Sequence, residues 1–396
     1  MDGRSLSGML PAALPALLAL LAATLALPLA ATAAPLKIGL LVRADDERLA
    51  ARLVERGYPG HPGGPAEQAV KMALDETRFE LDAAKLEATL ETVTVADAAQ
   101  ARAALQRLAQ GGAVGVLVDL PAAWLAQIAP AASVPLVNVG AADDSLRALC
   151  TPQLFHTLPS ERMRVDALAQ HLLSRRWQRV LLLQGPSASD AARAAVVQAA
   201  IKRYGLKLAA ARPYKLSGDP RERELGNLQL LTAARGAEHD VVWVVDSDGE
   251  FARTVPYRTA LPRPVVGDAG LTAQAWAPNF ERFGAPQLSR RFKRAAQRPM
   301  TGHDWAAWMG TKALLQAAMA NPKSPLTALT ATDFVLDGFK GTRNSFRAWN
   351  RQLRQPLLLT DGLGVIGSAP VEGVLHPKNV LDTLGVDAPE SPCKPK

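Results

Sequence analysis

The sequence predicts an α/β protein of two similar lobes, each built on a doubly wound, mainly parallel sheet. Three observations lead there. Short apolar, β-rich runs alternate with amphipathic helical segments, which is the signature of βαβ units. The alternation stops near "LFHTLPS" (154–160) and then starts afresh. The chain, at 396 residues, is long enough to bury two sizeable cores. With 48% hydrophobic and 21% charged residues, its bulk is neither a disordered chain nor a membrane-spanning one.

The beginning departs from this pattern. Residues 1–33 combine Arg4, an apolar Ala/Leu-rich run from Met9 to Ala26, and small residues at Ala31 and Ala33, as in a cleaved secretory signal. An uncleaved anchor helix competes, because the run approaches the roughly 20 residues that span a bilayer. Pro28 and the small residues favour cleavage. The mature chain is expected to start near Ala34 and to be exported to a periplasm. No Cys follows the cleavage site, so a lipid anchor is not expected.

The first lobe then reads, in order, strand 36–42, helix 65–79, strand 86–95, helix 97–110, strand 113–119 and strand 134–140. The second set comprises helix 162–176, strand 179–184, helix 189–205, strand 206–214, helix 220–236, strand 240–246 and strand 263–267. A last stretch supplies helices 285–298 and 303–320 and a ribbon-like 344–367. The lobes are accordingly drawn as 34–156 with a return at 281–340, and 157–280 with a return at 341–396. Trp305 and Trp308, three apart on a helix, are expected in the core. The tail "DAPESPCKPK" holds Cys393, and the other cysteine is Cys150. In an oxidising compartment the pair reads as a disulfide, two unpaired thiols being the alternative.

The formal charge of +8 is spread over many segments, so a nucleic-acid surface is not expected. No G-x-G-x-x-G follows the first strand, and G-x-x-x-x-G-K-[ST], H-E-x-x-H and G-x-S-x-G are missing throughout. The six histidines stand isolated and read as surface or packing residues. An enzyme is therefore not expected, and no cofactor is required. The informative positions are the strand exits, where open α/β sheets bind their ligands. Nearly every exit is acidic: "VRADD" (Asp45, Asp46), "VLVDLPAAW" (Asp119), "NVGAADDS" (Asp143, Asp144), "VVDSDGE" (Asp246, Asp248, Glu250) and "VVGDAG" (Asp268).

"IGLLV", "AVKMALDE", "GAVGVLV", "RVLLLQG" and above all "VPLVNVGAADDSL…LFHTLPS" resemble the type I periplasmic solute-binding proteins of the leucine/isoleucine/valine kind, over essentially the whole mature chain. "RADDERLA", "HDWAAWMGTKALLQA" and "DGFKGTRNSFRAWNRQLRQPLLL" are similar to the branch of ABC transporter substrate-binding components associated with PQQ-dependent alcohol dehydrogenase systems. The resemblance implies two Rossmann-like lobes hinged by three crossovers and closing on a small solute. It also implies delivery to an ABC permease in the inner membrane, by a protein expected to be a monomer. A ligand-sensing or accessory role in an alcohol-oxidising system is the second reading.

In amino-acid-binding relatives a Ser and a small-small-Thr turn hold the ligand carboxylate. Here "DLPAAW" offers no serine, and Ala141 and Ala142 are followed by Asp143, so branched-chain amino-acid binding is the lesser expectation. The acid that grips the ligand's ammonium in the family matches Asp268. Asp45, Asp143, Asp246 and Asp268 then read as ligands of a cation, an organic amine or a hard metal ion, with Asp46, Asp119, Asp248 and Trp124 lining the cleft. Helix capping competes at each aspartate, and is favoured at Asp119, Asp144 and Asp190.

Overall fold

A computed structural model describes residues 1–3 and 35–393 of the chain. The secretory signal predicted over 1–33 lies, beyond Gly3, outside the described residues. β1 (Leu36–Arg43) leads into α1 (Ala51–Arg56) and α2 (Ala66–Ala83). There follow β2 (Ala88–Val95), α3 (Ala98–Gln110), β3 (Ala113–Asp119), α4 (Ala122–Ile128), β4 (Leu136–Asn138) and β5 (Leu154–His156). All five strands pair in parallel in the order β2-β1-β3-β4-β5. Successive side chains of a strand point to opposite faces. Ile38, Leu40 and Leu117 thus enter one core, and Leu41, Val116 and Val118 another, on the opposite side, against α3. Burial on both faces explains why β1 and β3 read as unbroken apolar runs rather than alternating ones.

The second sheet repeats the plan. α5 (Glu161–Ser174), β6 (Arg179–Gln184), α6 (Ala188–Arg203), β7 (Lys207–Pro213), α7 (Leu228–Leu231), β8 (Val241–Val245), α8 (Val255–Arg258) and β9 (Val265–Gly267) give parallel strands in the order β7-β6-β8-β9. The single helix expected over 220–236 is broken instead. A 3-10 segment Pro220–Gly226 ends at Asn227, whose side chain accepts from the amides of Gln229 and Leu230 and starts α7 anew. Asn competes well as a cap and poorly inside a helix, which is why the break falls there.

After β10 (Thr272–Gln274), the chain returns to the first core through α9 (Ala285–Ala296), α10 (Gly302–Ala320) and α11 (Pro325–Leu329). Trp305 and Trp308 are fully buried in it, as predicted. The hairpin β11 (Leu336–Asp337) and β12 (Arg343–Asn344) follows, then β13 (Leu357–Thr360) and β14 (Val365–Ala369). β10, β13 and β14 form an antiparallel sheet, and Ala273, Leu357, Leu359 and Ala369 pack in the second core. The backbone therefore crosses between the cores three times: after β5, after β10 and before β13.

One buried lysine ties these crossings together. Lys340 Nζ donates to the carbonyls of Ala275 (2.9 Å) and Pro356 (2.9 Å) and to Gln355 Oε1 (3.0 Å). Gln355 Nε2 in turn donates to the Thr157 carbonyl at 2.7 Å. Ala275, Pro356 and Thr157 belong to the three different crossings. Trp305 supports the ammonium from below, with its ring centroid 3.6 Å away.

Between β1 and α2 the sequence reading left 44–65 unassigned, and here the chain forms a strap that leaves the first sheet and touches the second. Tyr58 is buried against Gly249, where an added Cβ would lie 2.8 Å from the ring. Arg56 donates to the Tyr58 hydroxyl at 3.0 Å and pairs with Glu250. Cys150 and Cys393 form a disulfide that ties the C-terminal segment to the loop before β5.

His156, at the end of β5, is fully buried. Its Nδ1 accepts from Asn138 Nδ2 (3.1 Å), which leaves Nε2–H without a partner among the described residues. Burial, then the neighbouring Arg147 charge, holds its pKa well below the usual histidine range. The unfolded imidazole takes a proton near pH 6.5. Between that value and the depressed folded one, the unfolded chain holds the extra proton, so stability falls as the pH drops. The expected slope is about 1.4 kcal/mol per pH unit for this group. Urea midpoints measured from pH 7 to pH 5 should fall less steeply in His156→Gln than in the parent.

Candidate binding cleft

The carboxyl ends of both parallel sheets face one cleft of about 590 Å³, closed on one side by the strap. Arg48, Pro59 to Pro62, Ala142 to Ser145 and His303 line it from the first sheet's side; Glu161, Arg164, Ser189, Arg193, Ser247 and Asp268 line it from the second's. Such a volume between two layers suits a small solute. Its apolar wall is modest: Pro59, Pro62, Ala142, Ala192 and Val196.

Most charges in the cleft are already matched. Arg193 grips Asp268 bidentately (Nη1 to Oδ2 2.8 Å, Nη2 to Oδ1 2.6 Å) and donates through Nε to Glu161 at 3.0 Å. Burial opposes ionisation of Glu161, yet the Arg193 and Arg164 charges outweigh it and hold the carboxyl below its usual range. Arg48 is fixed by Asp46 and by Asp119 (2.7 Å) and donates to the Gly140 carbonyl at 3.1 Å. For Asp46, burial would raise the pKa, but Arg48 brings it below the ordinary value. Burial lowers the pKa of both imidazoles of the cleft: His61 lies below its usual value, and His303 far below, where the Arg164 and Arg48 charges add to the effect.

The predicted ligand residues separate under this geometry. Ala142 and Asp143 line the cleft, and the Asp143 side chain has no hydrogen-bond partner among the described residues. Ala141 is buried behind them, its carbonyl accepting from Asn138 (2.7 Å) and Arg147 (3.0 Å). Asp268 lines the cleft but is spent on Arg193 and on the Asp246 amide (2.7 Å). Asp246, expected as a ligand, is instead buried and caps the following turn, accepting from the amides of Phe251 and Ala252 at 2.9 and 2.8 Å. Asp45, also expected as a ligand, sits exposed in a left-handed conformation and is not among the residues that line the cleft.

The expected lining residues also divide. Asp46 and Asp119 hold Arg48 in place, so Asp119 is an ion-pair partner and not the cap expected of it. Asp248 is exposed and accepts from the Glu250 amide (2.8 Å) in a local turn. Trp124 packs on the first lobe's core beneath the Arg43 guanidinium, 5.9 Å from its ring, and not in the cleft. Asp144, expected to cap the helix that follows its strand, instead accepts from the Arg162 amide (3.0 Å) in the first turn of α5, whose own cap is Ser160. Asp190 caps as predicted, within a capping box with Ser187, and its second oxygen orients the Ser247 amide at 2.7 Å. The acidic exit of β8 is thus accounted for by capping, a local turn and the strap's ion pair.

Among the residues of the cleft that escaped the sequence reading are Arg48, Arg164, Arg193, Glu161, His61 and His303. Arg147 escaped it too; wholly buried, it donates to the carbonyls of Ala141 and Asp143 and so shapes the turn that presents Asp143. A signal existed for the histidines alone. His61 lies in the Gly/Pro-rich "YPGHPGGP" between α1 and α2, and His303 follows the capping residue Thr301 at the start of α10.

Two parallel-sheet lobes, three backbone crossings and a cleft at the strand ends define the type I periplasmic binding fold. Residues 56–256 match the periplasmic binding protein family, and the chain belongs to it. Among solved structures, a periplasmic binding protein from Burkholderia mallei is 13% identical, with a TM-score of 0.64 over 91% of this chain and 99% of its own. A leucine-, isoleucine-, valine-, threonine-, and alanine-binding protein from Brucella ovis, in a closed conformation, is 13% identical with a TM-score of 0.64, over 83% and 89% of the two chains. A solute binding protein of an ABC transporter from R. palustris, in complex with benzoate, is 14% identical with a TM-score of 0.59, over 86% and 98%. No curated protein sequence is significantly similar to the chain.

Proposed function

We propose that this chain is the substrate-binding component of an ABC-type importer, exported to the periplasm, where it captures a small solute in the cleft and hands it to a membrane permease. The observation that carries this reading is a cleft lined from both sheets at their strand ends, spanned by a strap that contacts both. Affinity in such an arrangement comes from contacts made by two bodies at once, and release needs only a hinge motion. The family supports the same role. The likeness of three segments to the branch linked to PQQ-dependent alcohol oxidation supports a solute related to that metabolism.

The metal or amine expected from the acidic strand exits retains one supporting group, the unpartnered Asp143. Asp268 shares Arg193 with Glu161, Asp46 and Asp119 share Arg48, and Asp246 is a cap. Among the described residues no three His, Cys, Asp or Glu side chains are placed to hold a metal ion. The test is thermal unfolding of the mature protein, after chelation, with metal ions, amines, amino acids, alcohols and carboxylates, benzoate included. A true ligand at 100 times its Kd stabilises by about 2.7 kcal/mol and visibly raises Tm. A protein that no solute class stabilises would refute the transport reading.

A further inference from the structure

We propose that the solute carries a carboxylate and that Arg164 and Gln274 hold it in front of Gly60. This rests on the binding-protein reading above and names the class of solute. Arg164 lies on α5 and is half-buried at the cleft. Arg48 and Arg193 are each ion-paired twice, but the Arg164 guanidinium has no hydrogen bond or ion pair among the described residues, and its Nε is wholly buried without a partner. A guanidinium withdrawn from water and left unpaired is costly in the empty protein. An arriving anion would remove that cost.

Gly60 supplies the space. A Cβ built on it would lie 3.5 Å from Arg164 Nη1 and 3.7 Å from Gln274 Nε2, so both donors flank this residue with no side chain of its own between them. The Gln274 amide is likewise without a hydrogen-bond partner among the described residues. A small cavity of about 30 Å³, bounded by Gly60, Arg164 and Gln274, adjoins the main cleft and shares Gly60 and Arg164 with it. A guanidinium and a carboxamide N–H are both donors suited to the oxygens of a carboxylate.

The charge of the anion is limited by its surroundings. Asp143, Asp144, Glu161 and Asp268 also line the cleft, against the guanidiniums of Arg48, Arg164 and Arg193. Each further negative charge on the solute adds repulsion, so a monoanion fits better than a phosphate dianion. The rest of the solute would lie along Pro59, Pro62, Ala142 and Val196, which asks for a compact, largely apolar body.

The experiment is calorimetric titration of the mature protein with benzoate, hexanoate, benzylamine, benzyl alcohol and inorganic phosphate, repeated on Arg164→Gln and Gln274→Ala. The expected result is binding of a carboxylate, weakened about thirtyfold or more in Arg164→Gln and by less in Gln274→Ala. The ligand-free Arg164→Gln protein should melt close to the parent, since this guanidinium donates no hydrogen bond among the described residues and acts on Glu161 only through its charge, beside Arg193. Binding confined to the amine, alcohol or phosphate, or carboxylate binding unchanged in Arg164→Gln, overturns the carboxylate assignment and leaves the binding-protein reading standing. Absence of binding by every probe counts against both.

Discussion

Replacing Cys150 with serine, or reducing its bond to Cys393, lowers the free energy of unfolding by about 5 kcal/mol. The two cysteines are 243 residues apart, so the bond closes a loop over most of the folded chain. In the chain-entropy account a cross-link acts on the unfolded ensemble, and its effect grows slowly with loop length. The native fold should barely change. The segment bearing Cys393 keeps a capping box at Asp387 and Glu390 and the ion pair between Glu390 and Arg162. Urea unfolding with and without reductant checks this. The midpoint should fall while the slope rises, because the opened chain exposes more surface. An unchanged midpoint would mean that the tail detaches early and the loop constrains nothing.

Lys340→Met is the second large effect, a loss of about 3 kcal/mol. The substitution keeps an apolar stem on Trp305 but strands three buried acceptors, the carbonyls of Ala275 and Pro356 and the Gln355 side chain. Burial pulls the pKa of this lysine well below the usual range, so loss of its charge returns part of the cost. The orphaned acceptors still dominate, because each loses its sole side-chain donor in a region closed to water. Since the donors link three different crossings, the variant should also loosen the hinge. Hydrogen exchange at residues 157–160, 275–277 and 355–357 should quicken more than in either core. Equal protection throughout would confine Lys340 to ordinary packing.

The two-lobed α/β fold was legible because parallel strands buried on both faces are written as apolar runs, and these survive without knowledge of their neighbours. β3, predicted at 113–119, is formed by those very residues, Ala113–Asp119. The antiparallel sheet of β10, β13 and β14 was harder to read. β10 and β13 are three and four residues long and separated by more than 80 residues of chain. The candidate site was half legible. Acidic strand exits announced the cleft, but the cations that neutralise them come from elsewhere. Arg193 meets Asp268 across 75 positions, and Arg48 meets Asp119 across 71. On paper both arginines look like members of a solvated helix or loop face. Arg164 is invisible for a deeper reason, since what singles it out is the lack of any partner.

The strap from 44 to 65 bears on exchange as well as on affinity. Tyr58 against Gly249 and Arg56 with Glu250 fasten it to the second lobe, and none of these four residues lines the cleft. One wall of the cleft is thus held by contacts the protein makes with itself, so a substitution there changes how readily that side opens without touching the surface that binds.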